Sequence, residues 1–69
     1  MKDTDIIAWI MDHKRLLIST QRPTKEEMLM VFKIANIVDD TQTHKPTNCG
    51  RCYDNAKRAI RRNNPTLFE

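Results

Sequence analysis

The side chains best equipped for chemistry stand between His44 and Arg62. Cys49-Gly50-Arg51-Cys52 has the C-x-x-C spacing of a dithiol site, in which the amides of a helix start stabilise one thiolate and the next turn supplies a resolving thiol. His44 extends this to three possible zinc ligands within nine residues, and His13 could complete a tetrahedral set if the first helix lies alongside. Context argues against both chemistries. Dithiol oxidoreductases place the motif after a strand in an α/β domain, and this chain offers no sheet. Zinc sites usually show two closely spaced ligand pairs, whereas only one pair is present and no motif surrounds His13.

A plainer reading follows from periodicity. Taken as one helix at about 100° per residue, Cys49, Cys52, Tyr53, Ala56, Ala59 and Ile60 fall within roughly a third of the circumference. The cysteines then read as small buried hydrophobes beneath a cationic surface. On the opposite side Arg51, Arg58 and Arg62 stand at i, i+7 and i+11, flanked by Lys57 and Arg61, with Asn55, Asn63 and Asn64 as neutral donors. Arginine outnumbers lysine four to one on this segment, which suits bidentate contacts to phosphate or carboxylate. Asp54 is spaced to pair with Arg58 at i+4, so part of that charge is neutralised from within.

Little else could support catalysis. Serine occurs once, at Ser19, with no histidine or nucleophile-elbow glycines around it, and a single glycine excludes a Gly-rich phosphate loop. Asp39-Asp40 is a carboxylate pair in a loop, expected to be solvated. The chain is therefore read as a non-enzyme with no small-molecule substrate.

The elements that position these groups read as helices. After Thr4, a plausible N-cap with Asp5 in the first turn, Ile6, Ile10 and Leu17 define one face, widened by Ile7 and Met11. The first helix is placed at about 4–17, with His13, Lys14 and Arg15 near its carbonyl end. Leu16-Leu17-Ile18 could instead form a short strand, but no partner strand is evident. Thr24-Lys25-Glu26-Glu27 is a capping box that opens a second helix at about 24–38. Its apolar residues Met28, Val31, Phe32, Ala35 and Val38 are joined by Leu29, Met30, Ile34 and Ile37, as in a helix touched from two sides or partly exposed for a partner.

A polar connection, Asp39–Thr47, follows and is longer than the turn of a helix-turn-helix. The third helix spans about 48–63 with Thr47 or Asn48 as cap, and Leu67-Phe68 is expected to fold back onto the core. The fold class is all-α, a small three-helix domain in a single unit of 69 residues.

Composition sets the remaining bounds. A chain this short buries only about 60% of the surface its unfolded form exposes, so one thin core is expected. Two cysteines do not make a disulfide framework, no apolar run approaches the roughly 20 residues of a membrane span, and no leader pattern opens the chain, so a cytoplasmic location is expected. Net charge is +3 but uneven: residues 1–44 carry −1 and residues 45–69 carry +4.

The run Lys45-Pro46-Thr47-Asn48-Cys49-Gly50-Arg51-Cys52-Tyr53, set between an apolar helix and a basic one, resembles segments of small helical accessory proteins encoded by bacteriophages and mobile elements. The likeness covers about Met28 to Arg62 and brings no catalytic residue. It implies a compact accessory protein acting in stoichiometric complexes, in the host bacterial cytoplasm. Together these features predict binding of nucleic acid, or of an acidic surface on a host protein that handles it, through Arg51, Lys57, Arg58, Arg61 and Arg62. The alternatives are a protein-interaction or self-assembly module, including a homo-oligomer, using apolar surface of the second helix and the C-terminal tail, or a zinc or thiol-redox module through His13, His44, Cys49 and Cys52.

Overall fold

The computed structural model describes residues 3–39, 41, 43–45 and 50–68. Among these the secondary structure is helical throughout: α1 (Asp3–Asp12), α2 (Lys14–Ile18), α3 (Lys25–Val38), α4 (Gly50–Asn63) and a 3₁₀ turn at Pro65–Phe68. The expected first helix is thus two. Its start lies at Asp3, so Thr4 sits inside the first turn rather than capping it, and Leu16-Leu17-Ile18 is helical rather than a strand.

The break falls on His13, whose φ of −116° and ψ of 23° leave the helical region. At the break the His13 N–H is shared between Trp9 O and, at 3.2 Å, Ile10 O. Trp9 O accepts from the His13 backbone N–H at 3.0 Å and from the ring Nδ1–H at 2.9 Å, while the two rings stack at 4.0 Å between centroids. The chain resumes helical bonding at once, with Leu17 N–H donating to His13 O at 3.1 Å. This pivot leaves Leu16 and Leu17 buried, along with Ile6 and Ile10 of α1.

Helix α3 starts as its sequence requires. Thr24 Oγ1 accepts from Glu27 N–H at 3.1 Å, and Glu27 Oε1 accepts from Thr24 N–H at 2.8 Å, which closes both halves of the capping box. Val31, Phe32, Ile34 and Ala35 are buried, whereas Leu29 and Ile37 stay exposed on the outer side.

Helix α4 is the element touched from most sides. It packs chiefly on α3 and also meets α2 and the 3₁₀ turn, so the central role belongs to it rather than to α3. Tyr53, Ala56, Ala59 and Ile60 join the core as the stripe predicts, and Cys52 packs half-buried against it. Phe32 and Tyr53 meet edge to face at 6.2 Å between centroids. Leu67 and Phe68 fold back onto this core. The expected cap at Thr47 or Asn48, and Cys49, lie outside the described residues. No helix of the described residues is long and apolar enough to cross a membrane.

Candidate nucleic-acid interface

The cationic side chains of α4 divide into two sets. Lys57 and Arg61, one turn apart, face α2. Lys57 is only 6% exposed; its Nζ donates to Ser19 O at 3.0 Å, lies 3.5 Å from Asp54 Oδ1 and sits 4.9 Å above the centre of the Tyr53 ring. Arg61 Nη1 donates to Leu17 O. Both cations therefore satisfy carbonyls at the end of α2, where helical partners run out and the negative end of the peptide dipoles accumulates. Lys57 and Arg61, which the sequence groups with the binding surface, hold α2 onto α4 in this geometry. Asp54 pairs with Lys57 at i+3 rather than with Arg58 at i+4.

Arg51, Arg58 and Arg62 form the second set. All three are exposed, and with the exposed Asn55 they occupy one line of the helix. From Arg51 to Arg62 that line runs about 16 Å along the axis. Arg51 and Arg58 enter no ion pair among the described residues. Asn63 and Asn64 do not extend the row: their amides donate to Ala59 O at 2.8 Å and to Ile60 O at 2.9 Å, closing the end of α4.

Arg62 has a second engagement, with Asp39. That aspartate is only 3% exposed and is the hub of a polar clamp, contrary to the solvated acid expected in this loop. Oδ1 accepts from the Thr41 N–H at 3.0 Å and from its hydroxyl at 2.5 Å; Oδ2 accepts from His44 Nε2–H at 3.0 Å and from Arg62 Nη2–H at 3.2 Å. The Thr41 and His44 hydrogen bonds, followed by the Arg62 charge, hold the Asp39 carboxyl well below its ordinary pKa. Asn36 on α3 secures the same loop, its amide donating to His44 O at 2.7 Å and accepting from His44 N–H at 2.5 Å. The D-x-T spacing, in which an aspartate accepts from the amide two residues on, was the available signal for this clamp.

The zinc alternative finds its histidines occupied elsewhere. His13 stacks on Trp9 and His44 bonds Asp39, and among the described residues no three His, Cys, Asp or Glu side chains gather as metal ligands would. Cys49 lies outside the described residues.

A cavity of about 490 Å³ opens beside the basic row, between the 20–23 connection, Met28 of α3 and the first two turns of α4. Tyr53 forms one wall. Its hydroxyl is buried without a hydrogen-bond partner among the described residues, and burial, then the Glu27 and Asp54 carboxylates, push the phenol above its ordinary pKa. No protein-family model, curated protein or solved structure matches the chain.

Proposed function

We propose that the protein is a non-enzymatic accessory protein that binds nucleic acid through the outer ridge of α4. The observation that carries this reading is the exposed row Arg51, Asn55, Arg58 and Arg62, with Arg51 and Arg58 outside any internal ion pair. Guanidinium groups on one line can donate to successive phosphates, each contact releasing a condensed counterion. Lys57 and Arg61 support the ridge from behind by fixing α4 against α2. The resemblance to phage and mobile-element accessory proteins agrees with a role in stoichiometric complexes.

The test is fluorescence anisotropy with labelled single- and double-stranded oligonucleotides at about 0.1 M salt. Arg51→Glu with Arg58→Glu abolishes binding and leaves the thermal midpoint unchanged. Arg62 is unsuited to this test, because a glutamate there would face Asp39. If purified protein binds neither form, while nuclease-treated lysate yields an acidic protein lost in the same double variant, the ridge serves a host protein instead.

A second reading, assembly through apolar surface, is favoured by the exposure of Ile7, Met11 and Ile18 on the first two helices and of Leu29 and Ile37 on α3. The tail contributes less to it than its composition suggests, since Leu67 and Phe68 are packed on the core. Assembly of this kind persists at about 0.5 M salt in size-exclusion chromatography, where contacts between exposed charges are screened.

A further inference from the structure

The cavity beside the ridge combines apolar and polar lining residues. Its volume of about 490 Å³ suits a small planar group, and Pro23, Met28 and the Tyr53 ring supply apolar walls. Polar residues, Thr20, Gln21, Asp54 and Lys57 among them, complete the lining. Lys57 is pinned by Ser19 O, while the Asp54 side chain is 64% exposed and open to a donor. Gly50 and Asp54 line the cavity, and Arg51 and Asn55, each one residue further, begin the ridge. Mouth and ridge therefore share one border along α4, and Arg22 adds a further cation to the lining.

We infer that this cavity takes one unpaired base of a single strand whose phosphates lie on Arg51 and Arg58. The inference rests on the nucleic-acid reading of the ridge and names the form of nucleic acid it takes. Apolar walls and an aromatic ring accept the faces and edges of any base, as in other single-strand sites. A duplex could fill the cavity only by unpairing, at a free-energy cost that an already single strand avoids. Asp54 accepts hydrogen bonds and donates none, so it favours a base carrying an exocyclic amine, such as cytosine, over thymine. Gln21 offers both a donor and an acceptor to the rest of the base edge.

The experiment compares a fluorescein-labelled single strand of about a dozen nucleotides with the matching duplex and with an abasic single strand, using the full chain. A β-carbon at Gly50 would meet nothing within 4 Å, so Gly50→Leu adds bulk at the cavity wall while keeping every arginine, and its thermal midpoint checks that the fold is kept. The wild type binds the cytosine-bearing single strand about tenfold more tightly than the duplex or the abasic strand, and Gly50→Leu removes that preference. Asp54→Asn, whose amide can still fill the space, narrows the preference for cytosine over thymine. Equal affinity for all three ligands, or an unchanged preference in Gly50→Leu, overturns the base site while leaving the ridge reading in place. Failure to bind any of them at low salt overturns both.

Discussion

The two edges of α4 carry the same kind of side chain and do different work. On the inner edge Lys57 donates to Ser19 O and Arg61 to Leu17 O, which fastens α2 to α4. On the outer edge Arg51 and Arg58 are exposed and meet no carbonyl or carboxylate among the described residues. Less than one turn of rotation separates the two roles. What decides between them is the position of a neighbouring helix end. A cation beside unpaired terminal carbonyls is a structural ligand, whereas one that faces water remains available for phosphate. Arg62, on the outer edge, is exposed yet bonded to Asp39.

This contrast can be broken from the inner side first. Lys57→Ala removes a charge-assisted hydrogen bond and the packing of a buried stem, and is expected to destabilise the fold by about 2 kcal/mol in urea titration. Arg61→Ala, at a less buried position, costs about 1 kcal/mol by the same measurement. A loss at Lys57 no larger than at an exposed site would place it with the outer edge.

Arg62 sharpens the comparison through pH. Because the folded-state pKa of Asp39 is depressed below 3.8, its contribution to stability is complete above that value and drains away as the pH falls from there towards the folded value. Acid titration of the thermal midpoint therefore shows a decline that begins below about pH 4, and Asp39→Asn flattens that limb. The smallest effect belongs to the outer edge: Arg51→Ala and Arg58→Ala each change stability by no more than about 0.5 kcal/mol.

The same contrast explains what could be read from the chain. The capping box at Thr24 and Glu27, the stripe Tyr53-Ala56-Ala59-Ile60 and the burial of Val31 and Phe32 depend on neighbours one or two turns away, and local spacing records them. The break at His13 was hidden because neither proline nor glycine marks it; the histidine ring bonds Trp9 O and stacks on Trp9 there. Asp39 looked like a loop acid because two of its partners, His44 and Arg62, stand five and 23 residues later. Lys57 and Arg61 looked like members of the basic surface because a helical wheel carries no information about where α2 ends. Wheel geometry did place Arg51, Arg58 and Arg62 on one line, which is where they stand.

The central claim is that the ridge, and not the inner edge, meets phosphate. It is tested most directly by the slope of log affinity against log salt for single-stranded DNA, compared between Arg51→Gln with Arg58→Gln and Arg61→Gln alone. Two lost phosphate contacts lower the slope by about 1.4 in the first variant, while the second keeps the wild-type slope and loses only stability. A full slope in the double variant, or a reduced one in Arg61→Gln, would contradict the account.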